Sequence, residues 1–356
     1  MSVRTDRELA RIQDSVHALP GLPPPDPTQR YGVHRLTATW LAGLAPHTRR
    51  AYFRDLAHFL TWCQRDGLDP RAARAADLAG YRATLEHPAH GHPPAPASVH
   101  RRLSALSSWY RHLIANGDGE VAANPLAGVR RPRVDRDAST TAGLTADQVR
   151  ALLAQADTVV AARAADLAHS PTPYRRARHL AALRDRALLR LLADLGLRVG
   201  EALALDTDAL SHNQGQRTVR YLGKGGKQRE RALSPQAAQA LDAYLASRAT
   251  AGAPSTGPLF ATTGPGGRLG RLDEPAAFRL VRRLAQAAGI PAADRLSPHS
   301  LRHAFATNAR ELGVALEDVQ DAMGHADART TRRYDRGRYA LHRDPALRLG
   351  ELYARP

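Results

Sequence analysis

Cysteine is all but missing from this chain: one residue, Cys63, in 356. A single thiol excludes an intrachain disulfide framework and any zinc site built on cysteines. Cys63 therefore reads as a small buried hydrophobe on a helix. No uninterrupted apolar run approaches the roughly 20 residues of a membrane span. The opening segment, MSVRTDRELARIQDSV, carries acids and lacks the apolar stretch of a signal peptide. Together these absences set the expectation of a cytoplasmic protein with no membrane partner. Acids are also short in number, 34 Asp and Glu against 51 Lys and Arg, for a net charge of +17. Charge on that scale says little about fold but asks for a polyanionic partner, nucleic acid ahead of an anionic membrane surface. An arginine-rich composition explains part of the excess equally well.

What is present suits two domains with cores of their own: ample length and an ordinary apolar fraction of 43%. Residues 1–30 are short, polar and end in the proline-rich run Leu19-Pro20-Gly21-Leu22-Pro23-Pro24-Pro25, which reads as a flexible or semi-rigid lead-in. Over 31–126, apolar residues recur three and four apart: Leu41 and Leu44, then Tyr52, Leu56, Phe59 and Leu60, then Leu103, Leu106, Trp109, Tyr110 and Leu113. That spacing predicts a bundle of four or five helices. Arg49, Arg50, Arg54, Arg101, Arg102 and Arg111 lie on or beside those helices, as a phosphate-contacting face would require. Solvated helix surfaces account for any one of them as well.

Residues 127–141, without periodicity and with Arg130-Arg131-Pro132-Arg133, read as a linker to a second domain over 142–345, followed by a tail at 346–356. The second domain opens on Thr145, an N-cap with Gln148 three residues on. Helices are predicted at about 145–156, 183–196, 234–249, 274–289, 299–313 and 316–323. The alanine- and arginine-rich stretch Asp157–Ala182 reads as an inserted helix or loop. Thr218–Leu222 and Arg229–Leu233 flank Gly223-Lys224-Gly225-Gly226-Lys227 and predict a β-hairpin. The expected fold class is mainly α with a small sheet.

Four stretches of the second domain stand out together. They are Gly196-Leu197-Arg198-Val199-Gly200-Glu201, the hairpin with Lys224, Pro298-His299-Ser300-Leu301-Arg302-His303, and Met323-Gly324-His325 with Tyr334 nine residues further on. Breaking a phosphodiester without a metal requires cations on the non-bridging oxygens, where charge concentrates in the transition state. Arginine suits this, because its planar fork donates two hydrogen bonds and stays charged. A nucleophile must attack in line, and an acid must protonate the departing 5′ oxygen. A tyrosine hydroxyl, ionising near pH ~10, needs a base and nearby positive charge to serve. The four stretches contain this set.

In their order and spacing, GLRVGE, GKGGK, HSLRH and GHADARTTRRY resemble the signature of the tyrosine recombinase (phage integrase) family. The resemblance covers the whole second domain, while the helical domain before it is similar to the family's core-site-binding, SAM-like domain in position and pattern only. It implies a site-specific DNA recombinase working through a 3′-phosphotyrosyl intermediate. Tyr334 would be the nucleophile, Arg198 and Arg302 the phosphate clamp, and Lys224 the general acid. His299 would assist deprotonation of the tyrosine, and His325 would donate a hydrogen bond to the phosphate. The resemblance implies no cofactor and no metal. The implied partners are double-stranded DNA core sites, a homotetramer in the synaptic complex, and accessory proteins in some members. The short N-terminal segment leaves no room for a separate arm-site domain, so core sites alone are the expected target.

Competing readings stand beside these. Lys227 rivals Lys224, and the family's placement of its lysine first in the Gly-Lys-Gly turn favours Lys224. Glu201 is expected to hold Arg198 or a helix N-terminus, and His303 to be buried near the site. Thr330 and Thr331 would cap the helix that presents Tyr334. His299 and His303, four apart, share a helix face, but no Glu follows His299 and Arg302 would repel a cation. A type IB topoisomerase would share the same Arg, Lys, His and Tyr chemistry, and a catalytically idle DNA-binding accessory factor would share the scaffold. The tail favours the recombinase: Leu341, Ala346, Leu349 and Tyr353 near helical spacing suit a short helix that docks on a neighbouring subunit or on its own domain.

Overall fold

The computed structural model describes residues 3–324 other than 27, 133–142, 224–225 and 263–269. The chain divides into two units, Met1–Asp135 and Arg136–Pro356, each with its own apolar core.

The first unit is helical: α1 (Val3–His17), α2 (Val33–Ala42), α3 (Pro46–Arg65), α4 (Ala75–Glu86) and α5 (Pro96–Asn116). Proline opens α3 and α5, where its missing N–H costs nothing. Leu56, Phe59 and Leu60 of α3, Tyr81 of α4, and Leu103, Leu106, Trp109 and Tyr110 of α5 are sealed from water. Each such side chain contributes about 1.5–3 kcal/mol of burial. The polar ends of the two large rings are satisfied: Trp109 Nε1 donates to Thr37 Oγ1 at 2.9 Å, and Tyr110 Oη to the Pro70 carbonyl at 2.7 Å. Cys63 is buried in this core, and burial pushes its thiol up to about 12.

The N-terminal lead-in departs from expectation. Residues 3–17 form α1, which packs on α2, and Ile12, Val16 and Leu19 are buried in the core. The three- and four-residue spacing of those side chains is a helical stripe, and the proline run that suggested a tether begins only at Pro20. The linker differs as well over its described part. Val129 is buried, Arg131 donates to Ser104 Oγ at 2.8 Å, and the Arg130 carbonyl accepts from Arg82, so 127–132 lies against the first unit.

Half of the expected basic face serves the fold. Arg49 donates to the carbonyls of Leu41, Ala42 and Leu44, closing the C-terminus of α2, and pairs with Glu8 at 2.6 Å. Arg101 and Arg102 face Asp55, which is 3% exposed. Burial pushes the Asp55 carboxyl up, against the pull of both guanidinium groups. Arg50, Arg54 and Arg111 are exposed.

In the second unit come α6 (Ala146–His169), α7 (Pro173–Asp194), α8 (Val199–Leu203), β1 (Leu210–Asn213), β2 (Gln216–Leu222), β3 (Gln228–Ala232), α9 (Pro235–Thr250), α10 (Glu274–Ala287), α11 (Pro298–Glu311) and α12 (Leu316–Met323). The fold is thus mainly α with a three-stranded antiparallel sheet in the order β1-β2-β3. Thr145 caps α6 with its hydroxyl on the Gln148 N–H at 3.2 Å, and the Gln148 side chain returns to the Thr145 N–H.

Asp157–Ala182 is not an insertion between two short helices. It is the continuation of α6 and the start of α7, which pack on each other. Leu152, Leu153, Ala156 and Val160 on α6 and Leu180, Leu183, Ala187 and Leu188 on α7 are buried at helical spacing. Alanine-rich sequence propagates a helix well, and the break comes only at Ser170–Thr172, with Thr172 capping α7 and Pro173 in its first turn. The strand β1, unforeseen, is joined to β2 by Gln214 and Gly215, both at positive φ (48° and 75°). In the hairpin that follows, Leu222 pairs with Gln228, and the Gly223 N–H donates to the Lys227 carbonyl at 2.9 Å.

Candidate active site

The first predicted motif sits at the turn out of α7. Leu188, Leu189, Leu191 and Leu192 bury the end of that helix, and Gly196 then turns the chain at φ +63°. A Cβ at this position would lie 2.5 Å from Cδ1 of Phe305 on α11, so glycine is required both by the conformation and by the neighbour. The turn ends at Arg198, the N-cap of α8. Its N–H donates to Glu201 Oε2 at 2.9 Å and its Nη1 to Glu201 Oε1 at 2.7 Å. Glu201 holds Arg198 by main chain and side chain together.

The second motif opens α11. Ser297 caps it, with its N–H on Ser300 Oγ at 3.2 Å, and Pro298 takes the first turn. His299 is solvent-exposed, whereas Arg302, one turn on, is 2% exposed. The charge of Arg302 is held by main-chain oxygens: Nη1 donates to the Gly196 carbonyl at 2.6 Å and Nη2 to the Met323 carbonyl. Glu201 Oε2 lies 4.0 Å from Arg302 Nη1, so this carboxylate, only 9% exposed at its side chain, reaches both arginines. His303 is buried in the same helix, its Nδ1 3.4 Å from Thr307 Oγ1.

His299 sits within range of both guanidinium charges. Partial withdrawal from water, then the positive charges of Arg302 and Arg198, hold its imidazole below the ordinary histidine range. The neutral ring, able to accept a proton, is therefore the form favoured at neutral pH. Arg198, His299 and Arg302, separated by up to about a hundred residues in sequence, are brought to one place. The expected site residues Lys224, His325 and Tyr334 lie outside the described residues, as do Thr330, Thr331 and the tail. Lys227, the rival lysine, is exposed and closes the base of the hairpin loop through its carbonyl.

Two arginines that the motifs do not contain also face this region. Arg229 and Arg231 of β3 donate through Nη1 to the carbonyls of Asp321 (2.8 Å) and Ala322 (2.6 Å) in the last turn of α12. Arg231 also lies over the Phe305 ring, 5.7 Å from its centroid. Burial draws the Arg231 guanidinium down, with Tyr221 opposing. The available signal was the two-residue spacing of Arg229 and Arg231 on a strand, which puts both on one face. The same spacing fits an exposed strand, so sequence could not single them out. The described part of the site thus sets Arg198 and Arg302 on one carboxylate, with Arg229 and Arg231 on the end of α12 that Arg302 also meets, a concentration of positive charge that suits an anion with several oxygens.

Comparisons with known proteins agree with that chemistry. Residues 143–340 match the model of the phage integrase family, and residues 41–117 that of the phage integrase N-terminal SAM-like domain. The chain is 36% identical over 293 residues to tyrosine recombinase XerC of Azotobacter vinelandii, covering 82% of this chain and 85% of the relative. It is 30% identical over 295 residues to tyrosine recombinase XerD of Listeria monocytogenes, covering 82% and 88%. Among solved structures, the XerH site-specific recombinase bound to palindromic difH substrate superposes with a TM-score of 0.66 at 18% identity, over 98% of this chain and 96% of that one. A lambda integrase dimer bound to a COC′ core site gives 0.56 at 18% identity, over 84% and 77%.

Proposed function

The chain belongs to the phage integrase family and is a site-specific tyrosine recombinase; we propose that it cuts and rejoins DNA core sites with Tyr334 as nucleophile and Arg198, Lys224, His299, Arg302 and His325 as the groups that assist it. The observation that carries the assignment is the convergence of Arg198 and Arg302 on Glu201, with His299 within range of both guanidinium charges.

In this reading Arg198 and Arg302 bind the non-bridging oxygens of the scissile phosphate. The Tyr334 hydroxyl attacks phosphorus and passes its proton to neutral His299. As the phosphorus–tyrosyl oxygen bond forms, the bond to the 5′ oxygen breaks, and Lys224 supplies the proton that makes it a 5′ hydroxyl. His325 donates a hydrogen bond to the phosphate as its charge grows. Rejoining is the same sequence reversed, with a 5′ hydroxyl from another strand attacking the phosphotyrosyl ester. The ester conserves the energy of the broken linkage, so no nucleotide cofactor is called for. Four such subunits on two paired core sites would complete an exchange. The relatives bear the recombinase name, so the topoisomerase and accessory-factor alternatives are not adopted. Among the described residues, no helix is long and apolar enough to cross a membrane.

The test is covalent trapping. A duplex selected by the wild-type protein from a randomised pool, nicked so that the short cleaved strand diffuses away, is incubated with wild type and with Tyr334→Phe. A protein–DNA band on a denaturing gel that is present in wild type and gone in Tyr334→Phe supports the nucleophile. A wild-type protein that binds this duplex specifically and never forms the band refutes the assignment.

A further inference from the structure

The last carbonyls of a helix have no following turn to bond and carry the negative end of its dipole. In α12 three consecutive carbonyls are each met by a different guanidinium: Asp321 by Arg229, Ala322 by Arg231 and Met323 by Arg302. Arg302 comes from α11, and Arg229 and Arg231 come from the same face of β3. The end of α12 is therefore tied to the β-hairpin and to the phosphate-binding helix at once.

Arg229 does more than cap. Its side chain runs against two glycines. A Cβ on Gly324 would lie 2.8 Å from Arg229 Cζ, and one on Gly223 would lie 3.1 Å from Arg229 Cδ. Gly324, at φ +65°, ends α12, and Gly223 opens the hairpin loop. The next residues in the chain are His325 after Gly324 and Lys224 after Gly223. One guanidinium arm thus touches the residue that precedes each of two groups assigned to the reaction. Any side chain larger than hydrogen at either glycine would push the arm aside.

We propose that Arg229, backed by Arg231, is a positioning residue that sets the separation between the hairpin loop bearing Lys224 and the segment that begins at His325 and leads to Tyr334. The inference rests on the recombinase roles proposed above for Lys224, His325 and Tyr334. It makes departure of the 5′ oxygen and attack by the tyrosine depend on one strut, so that loosening it harms both. Arg231 steadies the same joint through Ala322 and through Phe305, whose ring packs on Gly196 beside the Arg302 anchor.

The experiment uses the full chain and the selected nicked duplex in two forms, one with an ordinary phosphate and one with sulfur in place of the bridging 5′ oxygen. A thiol ionises near pH ~8.5 against ~15.7 for water, so the sulfur leaves without a proton donor. Lys224→Ala is expected to regain most of its lost rate on the sulfur substrate. Arg229→Gln is expected to cleave ordinary DNA about 30- to 100-fold more slowly, the scale of a displacement of about 1 Å in a reacting centre. On the sulfur substrate it should recover only part of that loss, because the nucleophile segment is still misplaced. Arg229→Lys, which keeps the charge but not the planar arm, should fall between. DNA binding and the unfolding temperature of both variants should match wild type; if Arg229→Gln unfolds early, Arg229→Lys carries the same comparison. Cleavage by these variants within about twofold of wild type would overturn the proposal, as would complete recovery on sulfur, which would confine Arg229 to the lysine side. Failure of the wild type to trap either duplex would instead overturn the underlying recombinase assignment, a result separate from any defect in Arg229.

Discussion

Replacing Glu201 by alanine removes the carboxylate that reaches both proposed phosphate-binding arginines. Its hydrogen bond to Arg198 Nη1 is 2.7 Å long and charge-assisted, and its other oxygen accepts from the Arg198 N–H at 2.9 Å. A charged hydrogen bond is worth about 1.5–3 kcal/mol net, and the 36% exposure of the Arg198 side chain argues for the lower end because water replaces part of it. The Arg302 contact at 4.0 Å adds Coulomb attraction that the desolvation of Glu201 largely offsets. Together the loss of positioning comes to about 2–3 kcal/mol in the transition state, or roughly 30- to 150-fold in rate at ~1.4 kcal/mol per tenfold. Glu201→Gln keeps an acceptor without the charge and should lose about tenfold. The assay is single-turnover formation of the covalent complex at saturating duplex, with binding and thermal unfolding measured on the same samples. An alanine variant that folds and binds like wild type and cleaves within about twofold of it would refute the reasoning. So would a loss that appears only as weaker binding, with the saturated rate unchanged.

Two further outcomes follow from the same geometry. Because the His299 imidazole is held below its ordinary value near ~6.5, the neutral base persists as pH falls. The cleavage rate should therefore stay level from neutrality down to that value and drop only below it. His299→Gln should be slow at every pH and lack that acidic limb; a rate that falls already between pH ~8 and ~7 would contradict the assignment. The same depression means that the unfolded chain binds the proton more readily, so stability carried by His299 is present above about pH 6.5 and is lost as the pH drops through and below it. Gly196→Ala forces a side chain into φ +63° and onto Phe305, and should destabilise the second unit by about 1–3 kcal/mol while slowing cleavage through the Arg302 anchor. Calorimetry showing no loss of stability would mean that the turn relaxes without cost.

How much of this was legible beforehand differs from residue to residue. Helical periodicity picked out the buried stripes of α3 and α5 and located the helices from α9 to α12 to within a few residues, because each buries one stripe at 3.6-residue spacing. Thr145 with Gln148, and the hairpin around the glycine-rich turn, were readable because caps and turns are decided by neighbours in sequence. Proline and alanine misled the reading at two places. The proline run hid α1, whose apolar stripe needs α2 to cover it, and an alanine-rich stretch looked like an insertion when it prolongs α6 and α7.

At the site, the chemistry of a phosphodiester named the residue types, and the resemblance of the motifs to the tyrosine recombinase family proposed Arg198, Lys224, His299, Arg302, His325 and Tyr334; of these the structure describes Arg198, His299 and Arg302. Their mutual arrangement could not be read from the chain alone. That Glu201 reaches two arginines a hundred residues apart, that Arg302 is anchored on the carbonyls of Gly196 and Met323, and that Arg229 runs between Gly223 and Gly324 are contacts between distant segments. Local sequence encodes which groups are available, because charge, hydrogen-bonding capacity and helix periodicity belong to single residues and near neighbours. Which groups meet depends on how helices and strands pack, and only the folded chain brings a strand arginine to the end of a helix some ninety residues away.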